Sequence, residues 1–391
     1  MVAPMKVLLL CWRDTGHPEG GGSERYLERV AEYLAREGHR VVFRTAAYPG
    51  APKKSERAGV RYSRGGGNFS VYVRAWFAML AARVGLGPIA RALGGRPDVV
   101  VDTQNGIPFF ASVVSGRPTV VLTHHCHREQ WPVAGKLVGR FGWFVESTLA
   151  PAVQRGCRYI TVSRPSADDL RGLGVDGDRI SIIRNGVDPV PEVAIGAEDT
   201  AAFDPCAVDG GPRLVTLSRL VPHKQIEHAI DAVAALNPTY PEAVLDVVGS
   251  GWWSDELLAY ARAQGIEDRV VFHGQVSEEE KHLILARACV HVMPSRKEGW
   301  GLAVIEAAQH GVPTVGYRSS AGLRDSVVDG VTGLLADTPA QLVEATTSIV
   351  AEPDLRSFLG AEAKTRAETF SWDATARAVE QVLHDVADRP S

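Results

Sequence analysis

Residues 294–317 read PSRKEGWGLAVIEAAQHGVPTVGY, and they carry the pattern of a parallel β–α–β unit. An apolar strand ends at Ser295, and a charged turn with two glycines follows it. Helical spacing then runs from about Gly301 to His310, and a second apolar strand begins at Pro313. Two strands joined by a helix in this way lie parallel in one sheet.

The same alternation extends along the chain in both directions. Nearly continuous apolar runs rich in β-branched residues are typical of parallel strands that are covered on both faces. Predicted strands occupy residues 6–12, 39–45, 98–103, 119–125 and 159–163, and then 213–218, 243–250, 269–274, 290–295 and 313–317. Two successive series of this kind predict an α/β fold with two doubly wound, Rossmann-like domains and a cleft between them.

The alternation stops in a segment rich in Pro, Gly and Asp, which indicates a domain boundary. We therefore predict an amino-terminal domain over 1–188, a linker over 189–212 and a carboxyl-terminal domain over 213–370. The tail is helical in pattern, and we expect a final helix over about 371–391 to pack back on the first domain.

Composition excludes several classes of protein. The chain has 391 residues, of which 45% are apolar and 23% charged, as in an ordinary globular protein. No apolar run reaches the roughly 18 residues that a membrane span needs. The five cysteines are an odd number without a Cys-x-x-Cys pair. This usage predicts a cytoplasmic protein without a disulfide framework or a zinc ribbon.

Charge is distributed unevenly between the two halves. Residues 1–190 carry 26 Lys and Arg against 16 Asp and Glu, a net charge of +10, and the remainder carries −14. A basic half points to an anionic partner such as an acceptor or the inner face of a membrane, although solubility alone would also explain it. Because no helix-turn-helix or zinc-finger pattern is present, we expect no nucleic-acid partner.

Two glutamates flank the start of the helix in the first segment. Glu298 lies in the turn and Glu306 inside the helix, so both can face the edge where α/β sheets bind ligands. The amides of Gly299, Trp300 and Gly301 at the helix N-terminus favour phosphate oxygens. The alternative is a loop carboxylate and a solvated helix residue, but the surrounding glycines favour a site.

Two cations follow the first strand of the second domain. Arg219 and Lys224 precede a helix and could neutralise a diphosphate together. A glycine turn, VVGSGWW at 247–253, lies at the same predicted sheet edge. Taken alone, each could be a solvated loop or an ordinary turn.

This ordered series resembles family 4 of the retaining glycosyltransferases, which have the GT-B fold. The resemblance rests on a list of motifs in chain order: GGGSERYLERVAEYLAREGHRV (20–41), Arg219 and Lys224, Gly249-Ser250-Gly251, FHGQV (272–276), EGWGL (298–302) with Glu306, and DGVTGLL (329–335). The chain departs from the family pattern at Gln225, where Gly is common, and at Trp300, where Phe is commoner. An insertion, DTGHPE, precedes the first glycine loop.

The resemblance implies roles for these residues. Arg219 and Lys224 would hold the leaving nucleoside diphosphate, Glu298 would grip the donor sugar, and Glu306 would bind the ribose hydroxyls. The implied donor-binding residues are Gly251, Val276, Gly299, Trp300, Gly301, Leu302 and Glu306. Gly21 and Gly22 would approach the phosphates or the acceptor.

The resemblance also places a histidine at the end of the strand before LTHHCHREQW (122–131), beside the donor sugar. His125 fits that position best and His124 second, which gives the implied catalytic set His125, Glu298, Arg219 and Lys224. A metal site using His125 and His127 with Cys126 or Glu129, or a histidine that is simply packed, are the alternatives. Candidate acceptor residues at strand ends are Gln104, Asn105, Ser163 and Arg164.

An apolar helical face lies in the first domain. Val73, Trp76, Phe77 and Leu80 share this face, with Arg74 and Arg83 beside it. We expect a helix packed in the core rather than one facing a membrane.

The activity implied by these features is transfer of a hexose from a UDP- or GDP-linked sugar to an acceptor hydroxyl, with retention of configuration and without a metal or other cofactor. The acceptor could be a lipid-linked or cell-envelope glycan. Alternatives are a nucleotide-sugar 2-epimerase of the same fold and a non-catalytic nucleotide-sugar-binding protein.

Overall fold

The structure is a computed structural model, and it describes residues 3–18, 20–128, 131, 135–192, 206 and 211–388. The chain divides into two compact units. The first contains residues 1–186 and 371–391, and the second contains residues 187–370. Each unit is built on one sheet with helices around it.

The first unit contains an eight-stranded sheet in the order β3-β4-β2-β1-β5-β6-β7-β8. Its strands are β1 Lys6–Leu10, β2 Arg40–Thr45, β3 Lys54–Arg57, β4 Val60–Arg64, β5 Val99–Thr103, β6 Thr119–Leu122, β7 Arg158–Thr161 and β8 Ile180–Ile182. All neighbours are parallel except β3 and β4, which form an antiparallel pair at one edge.

The second unit contains a six-stranded parallel sheet in the order β11-β10-β9-β12-β13-β14. Its strands are β9 Arg213–Leu217, β10 Val244–Val248, β11 Val270–Gly274, β12 Val290–Met293, β13 Thr314–Tyr317 and β14 Gly333–Ala336. The order reverses between β9 and β12, so the edge beyond their carboxyl ends is the usual ligand position in such sheets.

Helices connect the strands in both units. In the first unit they are α1 Gly22–Arg36, α2 Ser70–Arg83, α3 Gly87–Leu93, α4 Ala111–Val114, α5 Lys136–Phe144, α6 Ala150–Val153 and α7 Arg164–Gly172. In the second they are α8 Glu227–Leu236, α9 Ser254–Ala263, α10 Glu278–Ala286, α11 Leu302–Ala308, α12 Ala321–Ser326, α13 Pro339–Ala351 and α14 Pro353–Ala367. The last helix, α15 Trp372–Ala387, belongs to the first unit.

The predicted α/β class with two doubly wound sheets is confirmed, and the reason is the burial of the strands. In β1, Val7 to Leu10 are fully buried, and Leu8 pairs with Val42 on one side and Val100 on the other. A strand covered on both faces needs apolar residues at every position, which is the pattern in the sequence.

Four strands were not predicted, namely β3, β4, β8 and β14. The β3–β4 hairpin reads KSER and VRYSR, and β8 and β14 have only three and four residues. Three of them, β3, β8 and β14, close an edge of a sheet. Edge strands carry weaker hydrophobic patterns because one side faces solvent.

Helix α15 packs on the first unit through polar and aromatic contacts. Asp373 pairs with Arg36 at 2.6 Å, and Thr375 donates to the backbone oxygen of Arg184 at 2.9 Å. The ring of Trp372 meets Tyr26 edge to face, with centroids 6.0 Å apart.

The cysteine usage predicts no disulfide framework, and the structure pairs two of the five cysteines, Cys206 with Cys289, in the second unit. The two cysteines are 83 positions apart, so their spacing in the chain carries no sign of their contact. Cys11, Cys126 and Cys157 are buried and take no part in this disulfide.

The prediction that Val73, Trp76, Phe77 and Leu80 form the packed face of α2 is wrong, since all four are exposed. The buried face consists of other residues, namely Val71, Ala75, Ala78, Met79 and Ala82. These recur at helical spacing, and their small side chains let the helix lie close to the core. Because α2 is apolar on both faces, periodicity alone could not tell which one is packed.

No single helix among the described residues is long and apolar enough to span a membrane. The helices α2 and α3 meet those criteria only when taken together, and they are bent by 59° at their junction.

Candidate active site

Two loops of the second unit are in close backbone contact at the carboxyl end of the sheet. Leu220, after β9, donates its N–H to the oxygen of Ser250, after β10, at 3.0 Å. A Cβ at Gly249 would overlap the carbonyl oxygen of Ser218, and one at Gly251 would overlap that of Leu220. Loop packing therefore already requires both glycines, whatever Gly251 does with a donor.

Lys224 and Glu298 meet beside these loops. Lys224 ends a short 3₁₀ turn after β9, and Glu298 lies in the turn between β12 and α11. Their side chains form an ion pair and are both largely buried. The two loops are also joined through their backbones, since Arg296 donates its N–H to the oxygen of His223 at 3.0 Å. Residues predicted separately from two motifs are thus in direct contact.

Arg219 supplies a second positive charge close to this pair. Its side chain is exposed, and it forms no ion pair within the part of the chain that the structure describes. The pKa of the neighbouring His223 is lowered by burial and by the charges of Lys224 and Arg219. Both Lys224 and Arg219 therefore lie close enough to His223 to disfavour its protonation.

The backbone conformation of Gln225 accounts for the family's preference for glycine at this position. The residue has φ +50°, in the left-handed region that glycine adopts without strain. Its conformation turns the chain from the Pro222–Lys224 turn into α8.

The turn that holds Glu298 is fixed by close packing. A Cβ at Gly322, in α12, would overlap the backbone oxygen of Glu298, and Gly301 has φ +90° at the start of α11. Trp300 is only 2% exposed, and its ring meets Phe370 edge to face at 4.9 Å. Because this ring is buried, the prediction of a donor-binding Trp300 can apply only to its backbone.

Glu306 lies in α11 and is held by a lysine from a neighbouring helix. Lys281 Nζ, in α10, lies 2.7 Å from Glu306 Oε1 and 2.8 Å from Glu278 Oε2. The side chains of Lys281 and Glu306 are largely buried, whereas that of Glu278 is half exposed. Burial alone would lower the pKa of Lys281, but the two carboxylates outweigh it and raise that pKa.

Two further donor-site predictions fall on partly buried side chains. Val276 packs against a small core cluster that includes Val248 and Leu285, and its backbone follows β11. Leu302 is partly buried at the first position of α11.

In the first unit, the predicted glycine loop leads directly into α1. The N-cap of α1 is Gly21, and the Gly21 N–H donates to Glu24 Oε2 at 2.8 Å. A Cβ at Gly22 would meet no atom within 4 Å. The buried Glu24 also accepts from Arg13 at 2.9 Å, while Gly21 and Gly22 are exposed.

Asn105 lies next to that loop, since its Nδ2 donates to Glu24 Oε1 at 3.3 Å. Gln104 is buried instead, and its Oε1 has no hydrogen-bond partner among the described residues. The preceding Asp102 anchors this segment by accepting from the N–H groups of Phe109 and Ala111 at 2.8 and 2.9 Å. Burial raises the pKa of Asp102 to about 6, against the effect of these two hydrogen bonds.

The two candidate histidines differ in accessibility. The ring of His124 is buried edge-on against Tyr26 at 5.2 Å, and burial lowers its pKa to about 4. His125 is partly exposed, and its ring centroid lies 4.4 Å from that of His127. Of the two, His125 is therefore the one that a substrate can reach.

Two acceptor candidates lie at the start of α7, and they also differ in exposure to solvent. Ser163 is fully buried, and its hydroxyl caps the helix by accepting the Ser166 N–H at 3.3 Å. The side chain of Ser163 is thus occupied by a structural role and is not exposed to an acceptor, contrary to the prediction. Arg164 is exposed.

Among the described residues, three potential metal ligands meet at His39, Glu380 and His384, away from the predicted histidine strand. The Met5 N–H donates to His39 Nδ1 at 2.9 Å, so Nε2 carries the proton that bonds Glu380 at 2.8 Å. Both ring nitrogens of His39 are therefore occupied, and the cluster is a hydrogen-bond network. The alternative ligand Glu129 lies outside the described residues.

Family models match sequence in both units. A model described as "Glycosyl transferases group 1" matches residues 199–366, and one described as "Glycosyltransferase Family 4" matches residues 20–190. The chain belongs to family 4 of the glycosyltransferases and is a glycosyltransferase enzyme of the GT-B fold.

Relatives match along most of the chain. Glycogen synthase of Mycobacterium tuberculosis is 28% identical over 97% of this chain and 94% of its own length. The GDP-mannose-dependent alpha-(1-6)-phosphatidylinositol monomannoside mannosyltransferase of Mycolicibacterium smegmatis is 28% identical over 82% of this chain and 75% of its own.

Solved structures share the fold. Sucrose-phosphate synthase from Thermosynechococcus elongatus superposes with a TM-score of 0.77 at 22% identity, covering 97% of this chain and 98% of its own. HepE from Anabaena, in complex with UDP and glucose, gives 0.72 at 19% identity, covering 97% and 100%.

Lys281 is the functional candidate that the sequence analysis missed. It lies in the run SEEEKH, whose charges are typical of a solvated helix face. Only the packing of α10 beside α11 shows that this lysine contacts Glu306.

Proposed function

We propose that the protein transfers a hexose from a UDP- or GDP-linked sugar to an acceptor hydroxyl, with retention of configuration and without a metal ion. The observation that carries the proposal is the ion pair of Lys224 and Glu298 at the carboxyl edge of the second sheet, with the charge of Arg219 close enough to act on the neighbouring His223. The names of the relatives support a sugar transfer, and one of them includes a GDP-linked donor.

In this proposal the donor diphosphate takes the place of Glu298 beside Lys224. Arg219, which is exposed, would contact the same diphosphate with its planar guanidinium group. As the bond between C1 of the sugar and the phosphate oxygen breaks, the two cations stabilise the negative charge of the leaving group. Their charges supply what a divalent cation supplies in metal-dependent enzymes, and the metal-independent mechanism rests on this.

Glu298, released from Lys224, would bind hydroxyls of the donor sugar. Glu306 would accept hydrogen bonds from the ribose, with Lys281 holding its carboxylate in place. The acceptor oxygen would attack C1 from the side on which the diphosphate leaves, and its proton would pass to the departing phosphate oxygen. This route forms one C–O bond as another breaks and retains the configuration.

The acceptor or the phosphates would meet the first unit at the backbone of Gly21 and Gly22. Two observations support this assignment: the open space at Gly22, and the buried Glu24, which is paired with Arg13. Asn105 and His125 are the side chains next to it in the proposal.

The experiment is a donor and acceptor screen with the full chain. Purified protein is incubated in EDTA with UDP- and GDP-hexoses and a set of hydroxyl acceptors, and products are analysed by mass spectrometry and NMR. We expect a nucleoside diphosphate and a glycoside with the donor's anomeric configuration. An isomerised donor without transfer would indicate an epimerase, and saturable binding without turnover would indicate a binding protein; either overturns the proposal.

A further inference from the structure

We propose that the first unit docks on an anionic lipid bilayer through the exposed faces of α2 and α5, a surface we call the docking face. It consists of exposed apolar residues and of basic residues beside them. Its apolar residues are Phe69, Val73, Trp76, Phe77 and Leu80 at α2, with Leu137, Val138, Phe141 and Phe144 in α5.

The apolar part of this surface is large for a protein exterior. Phe69 and Phe77 are 77% and 69% exposed, and Leu137 is 84% exposed. Apolar residues scattered singly on a surface are ordinary, but aromatic and aliphatic side chains grouped on one helix face indicate a binding surface. The opposite face of α2 is already packed through Ala75 and Ala78, so the exposed face is not needed for the core.

Both helices flank the same loop of the first unit. Trp76, in α2, donates its Nε1–H to the oxygen of Phe109 at 2.6 Å. Trp131 packs between that loop and α5, because Cβ atoms at Gly106 and at Gly142 would each be in close contact with its ring. The exposed residues of α2 and α5 therefore lie on two sides of one loop, at the carboxyl ends of β5 and β6.

Charge decides which partner fits this surface. From residue 58 to residue 97 the sequence contains no Asp or Glu, and it contains six arginines, Arg61, Arg64, Arg74, Arg83, Arg91 and Arg96. Arg74 and Arg83 are exposed beside the apolar face, and neither pairs with a carboxylate in the described chain. In the same way, α5 carries Lys136 and Arg140 and no acid.

Exposed aromatic side chains beside arginines, without acidic residues among them, match the surface of an anionic bilayer. The apolar rings enter the boundary of the acyl chains, while the arginine stems lie along it and their charged ends reach the phosphates. Each arginine near an anionic membrane adds about fivefold to binding. A protein partner would need a surface patch with acidic residues and no basic ones. An anionic membrane is negatively charged over its whole surface.

The test is co-sedimentation of the full-length protein with phosphatidylcholine vesicles that contain or lack phosphatidylglycerol. We expect salt-sensitive binding to the anionic vesicles only. The double variant Phe69→Ser/Phe77→Ser and the double variant Arg74→Gln/Arg83→Gln should each weaken binding by about tenfold or more. The matched control is Phe358→Ser, an exposed aromatic of the second unit that is 51% exposed, which should bind like the wild type.

The inference is overturned if the protein binds neutral and anionic vesicles equally well, or if the docking-face variants bind like the wild type. It is also overturned if two copies of the chain pair in solution through this face. Hydrolysis of the donor without an acceptor is measured in parallel. If the docking-face variants hydrolyse donor at the wild-type rate while vesicle binding fails for all proteins, the docking face is refuted and the glycosyltransferase proposal stands.

Discussion

The ammonium group of Lys224 forms an ion pair with the carboxylate of Glu298, although the two residues are 74 positions apart in the chain. Both side chains are largely buried, so neither charge can lose its partner without a substitute. In the proposed reaction the donor diphosphate is that substitute for Lys224. The ion pair thus holds the site together before the donor arrives and competes with it for the lysine.

This competition predicts opposite effects on nucleotide binding for the two partners. Lys224→Met should weaken binding of UDP or GDP by at least about tenfold, because a charge-assisted contact to the diphosphate is lost. Glu298→Gln should bind the nucleotide as tightly as the wild type or more so, because the lysine is freed, while turnover falls by about tenfold or more. Isothermal titration and initial rates measure the two quantities.

The matched control for the charge change is Arg287→Gln, an exposed cation that forms no ion pair among the described residues. It should change neither binding nor turnover. Equal weakening of nucleotide binding by Lys224→Met and Glu298→Gln would contradict the competition between carboxylate and diphosphate.

Lys281 is predicted to position Glu306 for the ribose. Lys281→Met should raise KM for the donor by about tenfold and change kcat much less, because binding of the nucleoside is lost and not the chemistry. The effects of Lys281→Met and Glu306→Ala should not add in the double variant, since the two residues act as one unit.

Glu278→Gln provides the comparison, because Glu278 contacts the same lysine from a half-exposed position. An exposed pair contributes about 1 kcal/mol or less, so KM should stay within about fivefold of the wild-type value. If Glu278→Gln raises KM as much as Lys281→Met does, the role assigned to the Glu306 contact is wrong.

Gly249 should be indispensable to the second unit. Gly249→Ala places a Cβ on the carbonyl oxygen of Ser218 at a φ of +126°, and both loops that flank the site would have to move. We expect a loss of at least about 2 kcal/mol of stability together with loss of nucleotide binding. Gly265→Ala is the control, because Gly265 also has a positive φ but open space around its Cβ, and it should cost only about 1 kcal/mol. Thermal unfolding compares them.

Stability should fall in acid because of His124. Burial lowers the pKa of this histidine to about 4 from an ordinary 6.5, so the folded chain holds it neutral while the unfolded chain takes up a proton below pH 6.5. Its contribution is fully present above pH 6.5 and is lost as the pH falls toward 4, by up to about 3 kcal/mol.

The variant His124→Phe keeps a ring against Tyr26 and removes the titration. Its melting temperature should decline less steeply than that of the wild type between pH 6.5 and 4, and the two curves should run parallel from pH 7 to 9. Equal slopes in acid would show that His124 does not contribute to acid sensitivity.

The sequence predicted the architecture well because parallel strands buried on both faces leave an almost continuous apolar signal, as in β1 and β5. The sequence was less informative about features that depend on local backbone geometry, such as the first residue of a helix. Ser23 has the chemistry of an N-cap, but the N-cap of α1 is Gly21, two residues earlier, with Glu24 supplying the carboxylate.

For the site, motif order identified Lys224 and Glu298, and their contact became visible only in three dimensions. Ser163 was predicted to face an acceptor, but its buried hydroxyl caps α7. The prediction for Trp300 concerns its backbone amide, and burial of its ring leaves that prediction untested. Lys281 could not be predicted, because its partner lies on a different helix. The exposed face of α2 was assigned wrongly, because large apolar residues on one side of a helix resemble a core face whichever side is packed.

If Arg219 and Lys224 bind a diphosphate in the second unit, calorimetric titration of one nucleotide series will show it. The full chain is titrated with UDP and GDP, with uridine and guanosine, and again after Arg219→Gln and Lys224→Gln. We expect one diphosphate to bind at least about tenfold more tightly than its nucleoside, and each variant to remove most of that difference. Equal affinity for nucleoside and diphosphate, or variants that keep the full difference, would refute diphosphate binding by these two residues.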